Sequence, residues 1–316
     1  IQNKEVIHMN NITALENVYQ RVDAMTQKCH DSLIPVKVIS FDNLDTIKIA
    51  STTHSLKPIA QRSIAWRLGI PYNYLRKCPP EIQSVQMNYW IEHEKNEQLF
   101  ARFDGNSVRA IFTPKYKPVD NMDVILEIYG MGYRPETQVQ CHLDEAFMSL
   151  SIMDGEKVFE INGDRFRPGV SISNSEVGLA SLSVSAFILR LICTNGLVSK
   201  TELSASYRHV STKILDEFPV ILDKVSVELG RQRHQIGLSM ESPVDDPVKT
   251  IESFNRQFGL NEDERKAVEW AWPQEMGDTM YAVVNSYTRA AQFKGLSAES
   301  SYKLQRVGGN VLGMLN

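Results

Sequence analysis

The spacing of apolar residues switches between two periods along this chain, and the order of the switches constrains the fold more than any single motif. From Ile12 to about Lys28, the positions Leu15, Val18, Val22 and Met25 recur at three and four, the repeat of one helix face. VKVISF and TIKIA, on either side of Asp42-Asn43, alternate as β-branched hairpin strands do. Residues 55–92 return to helical spacing. Ser55 and Lys57-Pro58 open KPIAQRSIAWRL and Gly69 closes it. A further helix starts at Pro71, breaks at Pro79-Pro80 and runs amphipathically through Ile82, Val85, Tyr89 and Trp90. Packed helices around a short glycine turn also suit a helix-turn-helix, a weaker reading here because such pairs mostly serve packing.

At Gln98 the period becomes two. QLFARFD and SVRAIFT flank Gly105-Asn106, a pair that tolerates the positive φ of a tight hairpin. Arg102 and Arg109 project from this ribbon, and its register decides which face each takes. VDNMDVILEIYGMG reads as a helix capped by Asp120 or Asn121 and ended by Gly130 or Gly132. TQVQCHL, AFMSLSIM and KVFEI read as strands, the last two joined at Asp154-Gly155. The stretch from Asn162 to Leu197 becomes nearly all apolar, as a buried strand or strand pair would, and after Tyr207 helical spacing takes over. The expected fold is therefore α+β. An N-terminal helix occupies 1–35, a body with a mixed or antiparallel sheet, hairpins and packed helices occupies 36–206, and a helical region occupies 207–316.

With 316 residues, 42% of them hydrophobic, the chain can bury a sizeable core as one large or two moderate domains. No apolar run reaches membrane-spanning length, and IQNKEVIHMNN lacks the basic and apolar regions of a secretory leader, so a soluble cytoplasmic protein is expected. Cys29, Cys78, Cys141 and Cys193 stand far apart without metal-ligand spacing, which predicts reduced thiols.

Net charge is −4, which argues against a uniformly basic binder, yet the charge is segregated. Residues 57–117 hold ten Lys or Arg against five Asp or Glu, 118–164 hold two against ten, and 165–213 hold six against two. Local charge sets the field near a groove, so one face can be positive on an acidic protein.

Nucleotide-loop, zincin and nucleophile-elbow signatures are absent from the sequence, and no catalytic set, cofactor or metal site is expected. Asp144, Glu145, Asp154, Glu160 and Asp164 cluster in sequence and keep a metal-dependent nuclease or nucleotide-processing enzyme as an alternative. The basic elements point elsewhere. Lys115-Tyr116-Lys117 and Arg165-Phe166-Arg167 each set a ring between two cations beside a proline, so the ring can stack on a base while the cations neutralise phosphates. In the simpler reading, Tyr116 and Phe166 anchor loops in the core and the cations sit in water. Arg190, inside AFILRLIC, needs a carboxylate partner, either as a structural ion pair or in a groove wall. Arg208, within Tyr207-Arg208-His209, is a further candidate phosphate contact.

LGIPYNYLRKCP (68–79), RAIFTPKYKPVDN (109–121), GDRFRPGVSISNSEVGLASLSV (163–184), LRLICTNGLV (189–198), NSYTRAAQ (285–292) and LQRVGGNVL (304–312) together resemble a phage- and plasmid-related family, the one catalogued as domain of unknown function 932. The resemblance implies a mobile-element context but supplies no catalytic set. The order hairpin, helix, further strands is similar to that of recombination proteins that anneal single strands along a basic groove, usually as rings. The long helical C-terminus and the acidic net charge depart from that pattern.

The resulting expectation is a binding protein, not an enzyme, that takes single-stranded nucleic acid, DNA in preference to RNA, and forms a homo-oligomer. Arg102, Arg109, Lys115 and Lys117 would hold phosphates, with Arg165, Arg167 and Arg208 along the same groove, while Tyr116 and Phe166 stack on bases. A third expectation is an oligomeric protein-interaction factor acting on a host component.

Overall fold

Both periodicities of the sequence become secondary structure, and the chain is α+β. The computed structural model describes residues 12–153, 157–191, 195–202 and 229–315. Two compact units result, one built from Gln20–Pro118 with Glu176–Leu179, the other from Ile1–Tyr19, Val119–Ser175 and Ala180–Asn316. The division falls at other places than the sequence boundaries at 36 and 207, and the C-terminal helices belong to the same unit as one of the two sheets.

The described chain opens with β1 (Ile12–Ala14) and α1 (Leu15–Thr26), so the expected helix begins three residues late because Ile12–Ala14 pair as a strand. The first unit, which begins within α1 at Gln20, holds β2 (Cys29–Pro35), β3 (Ile39–Phe41), β4 (Thr46–Ile49), β5 (Thr52–Leu56), α2 (Pro58–Arg67), α3 (Tyr72–Leu75), α4 (Pro80–Ile91), β6 (Gln98–Asp104) and β7 (Ser107–Phe112). Its six strands run in the order β2-β6-β7-β5-β4-β3, antiparallel except for the parallel pair β5–β7. Pro58 and Pro80 each start a helix, where a missing N–H costs nothing, and Ser55 lies in β5 instead of capping α2. Gly69 ends α2 at φ +70°, the conformation that favours glycine. Ala60, Ile64 and Ala65 of α2 and Met87 and Ile91 of α4 pack on the core with Leu99, Ala101, Phe103 and Ile111.

The second unit holds α5 (Asn121–Gly130), β8 (Gln138–Leu143), β9 (Met148–Met153), β10 (Phe159–Ile161), β11 (Asp164–Asn174), β12 (Ser183–Arg190) and β13 (Asn195–Glu202). The helices α6 (helical over 229–241), α7 (Pro247–Gln257), α8 (Glu262–Glu275), α9 (Met280–Ala290) and α10 (Ala298–Leu312) follow. Its sheet is antiparallel throughout, in the order β1-β8-β9-β11-β12-β13 with β10 on β11, so the apolar stretch after Asn162 is a strand pair. The sheet curls into a half-barrel. Asn261 and Glu264 cap α8 reciprocally, each side chain accepting the other's backbone N–H at 2.9 Å. Val283, Val284, Tyr287, Leu304 and Val307 form the buried layer of the helical part. The expected Asp154-Gly155 turn lies outside the described residues. Among the described residues no helix is long and apolar enough to cross a membrane.

Candidate nucleic-acid interface

The hairpin that sequence reading placed on a phosphate backbone instead holds its own unit together. The register of β6 and β7 shifts at Arg102, which faces Ala110, while Phe103 faces Val108. Arg109 is the residue left over, and this bulge turns it to the side of Arg102. Both arginines then meet Glu176. Arg109 Nη2 donates to Glu176 Oε2 at 2.8 Å, Arg102 Nη1 to the Glu176 carbonyl at 3.2 Å, and Arg102 Nε to Asp31 Oδ1 at 2.9 Å. Arg109 also lies 3.3 Å from Cys29 Sγ, whose thiol is pushed up by burial although the guanidinium opposes the shift. Buried cations held by Glu176 and Asp31 are not available to phosphates.

The lysine-tyrosine-lysine tip divides. Lys115 and Lys117 are exposed, whereas Tyr116 is half-buried, stacked on Phe112 at 3.8 Å between ring centres and donating to the Glu176 carbonyl at 3.4 Å. Gly178, at φ +83°, lies against this stack, where a Cβ would come within 2.7 Å of the Phe112 ring. Tyr116 is therefore an anchor and its two lysines are the exposed part.

Arg165-Phe166-Arg167 belongs to the other unit. Phe166 is buried against Phe159 at 5.4 Å and lines a pocket whose wall includes Ile188, Leu197, Val284 and Leu312 together with Arg190, Tyr281 and Asn285, so it offers no face to a base. Arg165 is exposed and Arg167 half-buried. Arg208 lies outside the described residues. Arg190 is an ion-pair centre, bonded to Asp164 at 2.9 Å and Glu275 at 2.9 Å, with the Tyr281 ring at 5.2 Å. Tyr281 donates to Asp164 at 2.5 Å, and burial together with that carboxylate raises its phenol.

The acidic candidates are engaged or dispersed. Asp144 accepts from the backbone of Ala146, Phe147 and Ala298, Asp164 serves Arg190 and Tyr281, Glu145 and Glu160 face solvent, and Asp154 lies outside the described residues. Among the described residues no three His, Cys, Asp or Glu side chains are grouped to hold a metal ion.

A different surface of the first unit has the chemistry sought. On α4 the apolar stripe Ile82, Val85 and Tyr89 faces solvent, and the buried stripe is Gln83, Met87 and Ile91. Trp66, at the end of α2, is 82% exposed, and Tyr74, Tyr89 and Trp90 are each about half exposed at 51%, 54% and 47%. Arg62, one helical turn before Trp66, and Arg76 both lie against the Tyr72 ring, at 5.7 and 5.8 Å. Gln86 donates to the Tyr74 hydroxyl at 3.2 Å and ties α3 to α4, while Tyr89, Trp90 and His93 cluster at the end of α4. No acidic residue occurs from Lys57 to Pro80, and among the described residues Arg62, Arg76 and Lys77 have no carboxylate partner. Comparison with protein-family models, curated proteins and solved structures gave no match to this chain. The sequence signal for this face is the basic excess of 57–117, which Arg62, Arg76 and Lys77 share with the hairpin residues Arg102 and Arg109.

Proposed function

We propose that this chain binds single-stranded nucleic acid, DNA in preference to RNA, without catalysis, in the recombination or replication of a phage or plasmid. The observation that carries the reading is the exposed Trp66 one helical turn from Arg62, with Arg76 against the same Tyr72 ring as Arg62, Lys77 next in the chain, and Tyr74, Tyr89 and Trp90 exposed on the neighbouring helices. Exposed rings stack on unpaired bases and adjacent cations neutralise the phosphates between them; a duplex offers no such free base faces. Lys115 and Lys117, exposed in the same unit, add to the positive field. The sequence resemblance to domain of unknown function 932 supports the mobile-element context.

Fluorescence anisotropy with a labelled oligonucleotide at two salt concentrations tests this reading. Affinity is expected to fall steeply with salt, and Arg76→Glu with Lys77→Glu is expected to abolish binding. No binding of the folded chain at low salt dismisses the reading. A second reading rests on Ile82 and Val85, apolar and exposed on the same helix, which suit a protein contact such as self-association. Light scattering of wild type against Val85→Lys separates the two, because loss of an assembly with oligonucleotide binding intact assigns the stripe to protein.

A further inference from the structure

The concave side of the half-barrel carries two polar rows beside the apolar Met153, Phe187 and Leu189, where a barrel interior is ordinarily apolar. Register places His142, Ser149, Ser173 and Ser183 side by side in one row, and Gln140, Ser151, Ser171 and Ser185 in the next. All eight are buried, at 8% exposure or less. The curl brings β13, at one end of the strand order, back to β8, next to the other end, since a Cβ on Gly196 of β13 would fall on the Gln140 amide oxygen of β8. Helix α10 adds two more buried polar side chains. Tyr302 Oη lies 3.5 Å from Ser183 Oγ, and Gln305 Nε2 donates to Gln140 Oε1 at 3.1 Å and lies 3.4 Å from His142 Nε2.

Part of this polarity is internally satisfied. Ser151 donates to Ser171 at 2.9 Å, and Ser173 and Ser183 share a bond of 2.8 Å. Among the described residues, three atoms of this interior have no hydrogen-bond partner: Ser149 Oγ, Ser185 Oγ and Gln305 Oε1. Each belongs to a side chain at least nine-tenths buried, and a buried polar atom without a hydrogen bond carries its desolvation cost uncompensated. None of the ten side chains is an acid, a lysine or an arginine, so among these ten a charged guest finds no counter-charge. Gln305 Oε1 can only accept, whereas the two serine hydroxyls can donate or accept. A complementary occupant is uncharged and carries at least one donor.

We propose that the interior of the half-barrel is a binding site for an uncharged hydrogen-bonding guest, held by Ser149, Ser185 and Gln305. Water and a small neutral organic molecule share that chemistry. The site is distinct from the α2–α4 surface and does not depend on nucleic-acid binding.

The sign of a stability change tests the proposal in the full chain. If a guest bonds to Ser149 and Ser185, then Ser149→Ala and Ser185→Ala each strip a bond from it, and Tm is expected to fall by about 2 °C or more. If the hydroxyls are bare, alanine removes an uncompensated polar atom, Tm holds or rises, and the proposal is overturned. A high-resolution crystal structure gives the second readout: ordered non-protein density within hydrogen-bond reach of each of these three side chains is expected, and a dry interior with any of the three still unpartnered overturns it. Native mass spectrometry of the chain as purified distinguishes the sources. A reproducible mass excess lost on denaturation identifies an organic guest, and the bare sequence mass with ordered density identifies water.

Discussion

Arg109 donates to Glu176 across 2.8 Å, and both side chains are more than nine-tenths buried. Burial by itself lowers the guanidinium's pKa, and the charge and hydrogen bond of Glu176 outweigh that effect and raise it. Removing one member leaves a buried charge unpaired, which costs about 3–5 kcal/mol, whereas replacing both by apolar residues of similar volume is close to neutral. In urea unfolding, Glu176→Gln and Arg109→Met are each expected to be strongly destabilising. Arg109→Met with Glu176→Leu is expected to recover most of the loss, and single costs that simply add in the double variant would contradict a coupled pair.

His142 gives the second unit a sensitivity to mild acid. Burial pushes its imidazole down to about 4 from an ordinary 6.5. Above pH 6.5 neither the folded nor the unfolded state holds the proton, so there is no penalty. Between 6.5 and 4 the unfolded chain takes up a proton that the folded imidazole refuses, so stability falls as pH falls. The loss reaches roughly 3 kcal/mol across that window and levels off below it. Urea midpoints at pH 7.5, 5.5 and 4.5 measure this, and His142→Gln is expected to flatten the dependence relative to wild type. Parallel curves for the two proteins would assign the acid sensitivity to other groups.

Two Gly→Ala substitutions are expected to move stability in opposite directions. Gly169 faces Met153 and Phe187 across β11, and a Cβ there would fall on the Ile152 carbonyl oxygen, a backbone atom that cannot rotate away. Gly169→Ala is expected to cost about 3 kcal/mol by forcing β9 from β11. Gly237 lies within α6 with open space where its Cβ would be. Gly237→Ala is expected to stabilise by up to about 1 kcal/mol, because alanine loses less backbone freedom in a helix. Thermal unfolding of the two variants side by side reads both signs.

The sequence made the elements legible wherever one period held and one partner sufficed. Alternation and Gly105, at φ +54°, set the β6–β7 hairpin, and Asp120 preceded α5 as expected. The bulge at Arg109 was not legible, because it depends on which residue of β7 meets Phe103. For α4, hydropathy selected the wrong face. Gln83 is buried there because its amide donates to the Leu75 and Cys78 carbonyls and accepts from the Leu44 N–H, a demand of three distant backbone groups. That demand rotates Ile82, Val85 and Tyr89 into solvent, so the same contact that hid the candidate surface from sequence reading also creates it.

Trp66 and Arg76 should separate stacking from charge on that surface. Trp66 is 82% exposed, so Trp66→Ala is expected to leave the urea midpoint within the roughly 0.5 kcal/mol range of a surface change. If the ring stacks on a base, the same variant weakens oligonucleotide binding by about 1–3 kcal/mol, and the slope of log affinity against log salt is unchanged because no charge was removed. Arg76→Ala is expected to weaken binding and, unlike Trp66→Ala, also to reduce that slope by about 0.7, the contribution of one phosphate contact on a single strand. Anisotropy titrations at four salt concentrations measure both quantities in each variant. An unchanged affinity for Trp66→Ala removes the ring from the interface, and an unchanged slope for Arg76→Ala places the phosphates elsewhere, with Lys115 and Lys117 the next residues to substitute.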